Sequence, residues 1–373
     1  MTTQSYYQLV ASRVRHPLLP FFTLVFFALF FSVAMWYNVH IPDAAAAAYY
    51  RFRDGAAQCQ PNPSRYYISS LCNCGKEISM PDDDRPLDVN AFDWCGRESS
   101  VRGPHQKVIS YALYGNAHNA SIFKRYYSLL RNISLTAERV YPGWNIRIYH
   151  NIPDSNGPER EAHDQLCDVY CRFKHVDLCS VPLLIQRIGN DTTPMDPTFL
   201  TGLNPRMFRY LVMLDPNVDV FISRDVDSLI WPREVDAVEE WLRSNYTFHV
   251  MRDHMNHGSV ILAGMWGAKM WQRRDLLEGL MRALVVSGQQ QLKSQDQYSL
   301  ADIVWPIAKY DVMAHDTYGC QNERLVRLSP LKVFPFPTKR NGSYYVGGAG
   351  HELYPDKCPE ACRPEGHKDW EYC

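Results

Sequence analysis

An uncharged stretch of 20 residues near the N-terminus is the feature that most constrains this chain of 373 residues. It covers residues 17–36, reads PLLPFFTLVFFALFFSVAMW, and is long enough to cross the hydrocarbon core of a bilayer as a helix. Arg13 and Arg15 precede it, and residues 1–16 contain no acidic residue, so the positive-inside rule predicts a cytoplasmic N-terminus. The sequence therefore predicts a single-pass type II membrane protein whose remaining residues lie outside the cytoplasm.

A cleaved signal peptide is the alternative interpretation of the same stretch. Signal peptides have a shorter apolar core that is followed closely by small residues at the cleavage site. Here the apolar block is longer and ends in Met35, Trp36 and Tyr37, although the alanines at 44–48 would permit cleavage. We therefore predict an uncleaved signal anchor at 17–36 that follows a cytoplasmic tail at 1–16.

All the cysteines lie after this stretch, at positions 59, 72, 74, 95, 167, 171, 179, 320, 358, 362 and 373. In an oxidising compartment such cysteines predict disulfides, and the odd number leaves one free or paired between the chains of a homodimer. The spacings Cys72-x-Cys74 and Cys358-x3-Cys362 also occur in zinc sites, but alone they are weak signals. N-glycosylation motifs, which agree with a luminal location, begin at Asn119, Asn132, Asn190, Asn245 and Asn341.

Sequence patterns divide the chain after the anchor into three parts. Residues 37–104 contain an alanine run, scattered prolines and four of the cysteines with little periodicity, so they predict a luminal stem. Residues 105–340 alternate between strand and helix patterns, and residues 341–373 form a cysteine-rich tail. The predicted strands are 108–114, 145–149, 218–222, 248–251 and 260–262, and the predicted helices are 122–139, 204–214, 232–243, 275–286 and 295–308. This alternation predicts one α/β domain with a mostly parallel sheet.

Two aspartates directly after the predicted strand 218–222 carry the clearest chemical signal. In open α/β sheets ligands bind at the carboxyl ends of the strands, which is where Asp225 and Asp227 lie. Carboxylates at this spacing can share Mn²⁺ or Mg²⁺, and the cation can bridge the phosphates of a nucleotide. A second Asp-x-Asp at Asp82 and Asp84 lies in the stem, where a solvated turn is the simpler interpretation. The net charge of −1 implies no nucleic-acid partner.

The residues around this motif resemble the core of GT-A-fold glycosyltransferases. In that family an arginine-bearing helix leads into the strand that delivers the DxD motif, as FRYLVML at 208–214 here leads into VFISRDVD at 220–227. The resemblance covers about 105–340 and is most specific over 208–267, which also looks like a group of glycosyltransferase-like type II membrane proteins of animals. It implies a GT-A-like (Rossmann-like) α/β fold with helices on both faces of a mostly parallel sheet.

The resemblance also implies roles for individual residues. Asp225 and Asp227 would bind the metal and the donor's diphosphate, Arg209 would face the phosphates, and Tyr114 and Gly115 would lie in the loop that meets the nucleotide base. For Arg209 the alternative is a surface cation at a helix end, and for Tyr114 it is an ordinary strand terminus.

Further candidates follow the later predicted strands. Asp253 and His254 come after the strand 248–251 and would position hydroxyl groups or be structural, and Gly264 would let a ligand approach the backbone while Trp266 stacks on a sugar. The competing interpretation of Gly264 and Trp266 is a glycine turn beside a buried tryptophan. In similar enzymes an Asp-Gln pair lies near the reacting carbon, so Asp296 is a candidate base. Its alternative is the first turn of a helix with Ser294 and Gln297 as a capping box.

A third metal ligand, often a histidine, comes late in similar folds. His315 is the first candidate for this ligand and His351 is the second, although a lone histidine is more often structural. The complete interpretation is a Golgi membrane glycosyltransferase that uses Mn²⁺ or Mg²⁺ and transfers a sugar from a nucleotide-sugar donor, UDP-sugar favoured, to a luminal glycan or glycoprotein. A non-catalytic luminal or cell-surface binding protein and a metal-dependent nucleotide-diphosphate hydrolase are the alternatives. The sequence lacks G-x-S-x-G, P-loop and H-E-x-x-H motifs, which sets aside serine esterases, P-loop enzymes and zincins.

Overall fold

The computed structural model describes residues 72, 74, 76, 92–115, 119–153, 160–190, 196–321, 333–348 and 356–373. The chain divides into two units, residues 1–65 and residues 66–373, and the described residues belong to the second. The predicted anchor at 17–36, Asp82, Asp84 and His351 lie outside the described residues. Within the described ranges, no helix has the length and apolar character needed to cross a bilayer.

A sheet of eight strands forms the centre of the described part of the chain. The strands are β1 (Gln106–Leu113), β2 (Trp144–His150), β3 (Val176–Ser180), β4 (Val218–Arg224), β5 (Phe248–Arg252), β6 (Met265–Lys269), β7 (Val312–Asp316) and β8 (Val333–Phe334). Their order across the sheet is β3-β2-β1-β4-β6-β5-β7-β8. β6 runs antiparallel to both β4 and β5, and the other neighbouring pairs of these strands are parallel. The prediction of a mostly parallel sheet is therefore confirmed.

Helices pack on both faces of this sheet. They are α1 (Arg97–Val101), α2 (Ala120–Ile122), α3 (Leu130–Val140), α4 (Arg160–Arg172), α5 (Val181–Asn190), α6 (Pro232–Arg243), α7 (Arg274–Ser287), α8 (Gln295–Ser299) and α9 (Trp305–Ala308). A 3-10 helix spans Pro205–Leu214, and π-helical turns follow α2 at Phe123–Tyr127 and α8 at Leu300–Val304.

Two hydrophobic cores account for this layered arrangement. Successive side chains of a strand point to opposite faces of a sheet, and on β4 Phe221 belongs to one core while its neighbours Val220 and Ile222 belong to the other. Leu277 and Leu280 of α7 pack into the first core, and residues of α3, α4 and α6 pack into the second. Both faces of the central strands are buried, which agrees with a Rossmann-like α/β fold.

The predicted elements agree with the structure where the apolar pattern is long. The helix predicted at 232–243 is α6, which begins at Pro232 because a proline fits the first turn and lacks only an N–H that has no helical partner there. The strand predicted at 260–262 is wrong. This segment is an irregular loop that buries Ile261, and the strand lies later, at β6. A short apolar run does not by itself distinguish a strand from a buried loop. The sequence patterns predict no element at α1, α4, α5, β3, β7 or β8.

Disulfides fasten the segments that flank the sheet. They join Cys72 to Cys167, Cys74 to Cys171, Cys95 to Cys179, Cys320 to Cys362, and Cys358 to Cys373. The predicted disulfides are thus confirmed for ten cysteines, and neither the Cys-x-Cys nor the Cys-x3-Cys spacing has free thiols for zinc. Three of the bonds join residues of the predicted stem to α4 and β3, so the described part of the stem is fastened to the domain. The remaining cysteine, Cys59, lies outside the described residues.

Two of these disulfides provide a matched test of how cross-links stabilise the chain. Cys95–Cys179 closes 84 residues and Cys358–Cys373 closes 15, while all four cysteines are similarly buried. In the chain-entropy model the longer loop stabilises by about 4.5 kcal/mol and the shorter by about 3 kcal/mol. We expect the double variant C95A/C179A to lose more unfolding free energy in denaturant titrations than C358A/C373A. An equal or smaller loss for C95A/C179A would contradict this expectation.

Candidate functional site at the carboxyl end of β4

The predicted aspartate pair lies in the turn that follows β4. The amide of Ser228 donates to the carbonyl of Asp225 at 3.1 Å, which closes a turn directly after Arg224. The side chain of Asp225 is 48% exposed, whereas that of Asp227 is 15% exposed. The structure therefore presents one open and one partly covered carboxylate at the carboxyl edge of the sheet.

Arg209 joins three segments at this edge. Its Nη1 donates to Oδ1 of Asp225 at 2.5 Å and to the carbonyl of Arg224 at 3.1 Å, and its Nη2 donates to Oδ2 of Asp296 at 2.8 Å. Burial alone would lower the pKa of Arg209, but the charges of Asp225 and Asp296 raise it well above its usual range. The arginine is therefore a permanent buried cation, not the surface cation of the alternative interpretation.

Local hydrogen bonds fix the backbone that carries Arg209. Asn204 precedes the 3-10 helix at Pro205–Leu214, and its side chain accepts from the amide of Arg206 while donating to the carbonyls of Gln290 and Leu292. On the other side, Ser110 of β1 donates its hydroxyl to the carbonyl of Arg209 at 2.6 Å. The backbone of this helix is thus held by both β1 and the segment before α8.

The Asp296-Gln297 pair at the start of α8 holds two parts of the site. Asp296 binds Arg209, and Gln297 donates to the carbonyl of Ile261 and accepts from the amide of Ala263 at 3.1 Å. Ser294 stands at the N-cap but makes no side-chain capping bond, so the capping-box alternative is wrong. The side chain of Gln297 is instead used to fix the loop before β6.

Gly264 lies against the Asp225 carboxylate, where a side chain would clash. A Cβ atom built on Gly264 would lie 2.0 Å from Oδ2 of Asp225, far inside a van der Waals contact. The turn before β6 therefore requires glycine here because it approaches this carboxylate closely. The approach of a ligand to the Gly264 backbone stays a prediction, since the neighbour that the structure shows is Asp225.

Arg125 pairs with the second aspartate, a contact that sequence reasoning missed. It lies on the π-helical turn Phe123–Tyr127, and its Nε and Nη2 both lie 2.7 Å from Oδ2 of Asp227. Burial and the charge of Asp225 raise the pKa of Asp227, and the contact with Arg125 offsets part of this shift. The basic pair Lys124-Arg125 in the first helical segment after β1 was the available sequence signal.

Tyr114 lies close to the same group of charges. It follows β1, and the guanidinium of Arg206 lies 5.4 Å from the centre of its ring. Burial raises the pKa of Tyr114, and the charges of Arg206 and Arg209 offset part of this shift. Gly115 follows with φ of +107°, a conformation that favours glycine. The tyrosine and its glycine thus form part of the site's border.

The chemistry of the two aspartates fits a hard divalent cation. Arg209 donates to Oδ1 of Asp225, and Arg125 donates to Oδ2 of Asp227. Each carboxylate therefore has a second oxygen that these arginines do not bind. Burial first, and then the charge of Asp225, raise the pKa of Asp227, and a cation beside both carboxylates would offset that charge. No group of three or more candidate ligands occurs among the described residues. Mg²⁺ is commonly held by one or two carboxylates, with substrate phosphates and water completing its shell.

Asp253 lies in a buried ionic cluster that is separate from this open edge. Its carboxylate accepts from Arg233 and Arg340, each at 3.0 Å, from the Thr317 hydroxyl, and from the amide of Val346 at 2.9 Å. Burial would raise the pKa of Asp253, but the two arginines lower it. The side chain is fully buried, and its contacts join α6, the end of β7 and the segment 340–346.

Trp266 is buried within the fold instead of forming an exposed sugar platform. It is the second residue of β6, and its ring meets Tyr210 and Phe221 edge-to-face with centroids 5.5 Å and 5.0 Å apart. The residue has no exposed surface, so neither face of the indole is open to a ligand. The competing interpretation, a buried tryptophan after a glycine turn, agrees with the structure.

His315 does not lie at the site where a third metal ligand was predicted. It lies on β7, three strands from β4, which corresponds to roughly 14 Å at the usual spacing of about 4.8 Å. Its Nε2 lies 3.2 Å from the Glu240 carboxylate, so Nε2 carries the proton. The neutral ring then accepts at Nδ1 from Nε2 of His249, 2.8 Å away. Both nitrogens are occupied in the core.

Comparisons with known proteins add nothing to this geometry. No protein-family model matches the chain, and no curated protein matches its sequence. A functional assignment therefore depends on the residues at the carboxyl end of β4 and on the resemblance described above.

The buried Arg209–Asp296 pair predicts a non-additive effect on stability. Removing one partner of a buried ion pair typically costs about 3–5 kcal/mol because the other charge remains buried and unpaired. We expect R209M to lose about 3 kcal/mol of unfolding free energy, and R209M/D296N to regain part of that loss. Denaturant titrations of the wild type, both single variants and the double variant provide the cycle. Strictly additive losses would show that the two residues are not coupled.

The buried histidines predict acid sensitivity. Burial lowers the pKa of His150 to about 4, burial and the proximity of His315 lower that of His249 well below its usual range, and burial lowers that of His315. In the unfolded chain these groups titrate near pH 6.5, so their stabilisation is complete above about pH 6.5 and is lost as the pH falls towards the folded-state values. Each such histidine changes stability by up to about 1.4 kcal/mol per pH unit.

The test measures unfolding free energy between about pH 7 and pH 5 for the wild type and for H150Q, in which glutamine retains an acceptor for the amide of Ile152. We expect stability to fall with pH, and the slope to be shallower in H150Q by nearly one proton. Equal slopes would contradict the assignment of a neutral buried His150.

Proposed function

We propose that this protein is a metal-dependent glycosyltransferase of the GT-A type. The observation that carries the proposal is the bridge formed by Arg209, which holds Asp225 of the DxD motif and Asp296 of α8 at one place on the carboxyl edge of the sheet. These residues are 87 positions apart at most. The resemblance implies that Arg209 and Asp225 bind the donor and that Asp296 lies near the reacting carbon. Their convergence supports a binding site for a charged ligand.

The fold supports the same proposal at a coarser level. Ligands of open α/β sheets bind beyond the carboxyl ends of the strands, and Asp225, Asp227 and Tyr114 all follow the carboxyl ends of neighbouring strands β4 and β1. The GT-A resemblance requires an Arg-bearing helix before the DxD strand, and the 3-10 helix at Pro205–Leu214 occupies that position before β4. The type II topology rests on the apolar stretch at 17–36 and on the arginines before it. The Golgi location and the choice of UDP-sugar donors rest on the sequence resemblance.

In this mechanism the carboxylates of Asp225 and Asp227 would hold Mn²⁺ or Mg²⁺. The cation supplies charge stabilisation for a diphosphate leaving group. Arg209 contributes a fixed positive charge beside Asp225, and a preorganised charge of this kind stabilises the negative charge that develops as the glycosidic bond breaks. Tyr114 borders the site on the β1 side, where the nucleotide would enter.

Asp296 has a positioning role in this proposal. Its Oδ2 binds Arg209, its Oδ1 accepts from the amide of Gln297 at 2.9 Å, and its side chain is 10% exposed. A carboxylate that is engaged in this way orients the arginine, and it would have to leave the arginine before it could act as a base. Asp253 is not included in the proposed site because its carboxylate is buried among Arg233, Arg340 and Thr317.

The aspartates provide the direct test. We expect D225N and D227N each to reduce Mn²⁺-dependent nucleotide release by about 100-fold or more, because amides replace the charges that hold the cation. The full chain, purified in mild detergent, is assayed with a panel of UDP-sugars and GDP-sugars, with Mn²⁺ or with EDTA, and with glycoprotein acceptors.

The control is D219N, which removes a carboxylate from the opposite end of β4. This variant is expected to retain release, and all three variants are expected to unfold at nearly the wild-type temperature. Release that persists in D225N, or a collapse of folding in D225N and D227N, would mean that these carboxylates are structural. If the wild type neither releases nor binds any nucleotide in Mn²⁺, the binding-protein alternative is the better explanation.

A further inference from the structure

Arg125 lies at this edge, and the proposed function assigns it no role. It lies on the π-helical turn that follows α2, and its side chain is 54% exposed. The turn begins close to where β1 ends, so it is on the same carboxyl edge as the DxD turn. Single π-helical turns inside helical segments are frequent at functional sites.

The two arginines of the site hold the two aspartates in different ways. Arg209 is 5% exposed and is fixed by three acceptors, including a main-chain carbonyl. Arg125 places both its Nε and Nη2 on the single oxygen Oδ2 of Asp227. About half of the Arg125 side chain is open to solvent, so a ligand at this edge can reach its guanidinium. The site therefore combines one buried guanidinium with one that is half exposed.

Cation binding would change the charges around Asp227. Arg125 lies against Oδ2 of Asp227 and offsets part of the negative charge that Asp227 and Asp225 bring to the turn after β4. A divalent cation held by both carboxylates would also offset their negative charge, with a larger positive charge at shorter range. The guanidinium of Arg125 would then lie beside a metal site without its carboxylate partner, at a place where the proposed ligand brings two phosphates.

We propose that Arg125 exchanges Asp227 for the donor's diphosphate when the cation binds. Arg125 thus competes with the metal in the free protein and binds a diphosphate in the loaded one. Arginine suits this exchange because its planar group binds carboxylate and phosphate oxygens with the same two-pronged geometry. This inference rests on the proposed function, since it requires a cation and a diphosphate at Asp225 and Asp227.

The exchange predicts effects of opposite sign for one substitution. In R125Q the competing cation is absent, so Mn²⁺ alone is expected to bind about two- to five-fold more tightly than to the wild type. Binding of UDP or GDP at saturating Mn²⁺ is expected to weaken about ten-fold or more, because a charge-assisted contact to phosphate is lost. Uridine and guanosine, which lack phosphates, are expected to show no difference between the two proteins.

The experiment measures Mn²⁺ binding by electron paramagnetic resonance and nucleotide binding by calorimetry, both on the full chain in detergent. K124Q is the matched control, because Lys124 is an exposed cation on the same π-helical turn and its substitution changes the net charge by the same amount. R125K retains the charge without the planar group, and it is expected to recover the wild-type Mn²⁺ affinity but only part of the nucleotide affinity.

The outcomes separate this inference from the proposed function. Opposite shifts in R125Q, with neither shift in K124Q, support the exchange. If the wild type binds UDP or GDP in Mn²⁺ and R125Q binds both ligands as the wild type does, the exchange is wrong and the proposed function stands. If R125Q and K124Q shift equally, the effect is general electrostatics and the exchange is also wrong. If the wild type binds no nucleotide, the proposed function fails, and this inference fails with it.

Discussion

The candidate site depends on one buried cation, Arg209. Its guanidinium contacts the turn after β4 through Asp225 and the carbonyl of Arg224, and it contacts α8 through Asp296. These segments are distant in sequence, and without the shared positive charge the two carboxylates would repel each other at the edge of the sheet. Because the Arg209 backbone is itself held by Ser110 of β1, the charge is positioned by the core strands and not by a surface loop.

The strands β4 and β5 also end in buried ion pairs. β4 ends at Arg224, which is buried against Glu234 of α6 at 2.6 Å, and β5 ends at Arg252, which is buried against Asp316 of β7. In both pairs each side chain is no more than 3% exposed. Asp225 differs from these carboxylates because about half of its side chain remains open to solvent. This contrast distinguishes a carboxylate available to a ligand from carboxylates that join elements of the fold.

Sequence reasoning predicted what depends on local pattern. The alternation of strands and helices, the bounds of α6, the disulfides and the position of the aspartate pair all follow from periodicity, residue type or spacing. It did not predict what depends on contacts between distant segments. Asp253 follows β5 as Asp225 follows β4, yet Arg233, Arg340 and Val346 surround only the former. Similarly, His315 lies at the end of a strand like a ligand, but the order of the strands places it with His249 and Glu240 in the core.

The central claim is that Asp225 and Asp227 bind a divalent cation together with a nucleotide diphosphate. Crystals grown with MnCl₂ and UDP, measured at the manganese absorption edge, would test it most directly because the anomalous signal locates the metal independently of the protein. The account predicts a peak within coordination distance of both carboxylates, with diphosphate oxygens completing the shell and Arg209 still in contact with Asp225. Bound UDP without a manganese peak at these residues, or manganese at another place in the protein, would contradict it.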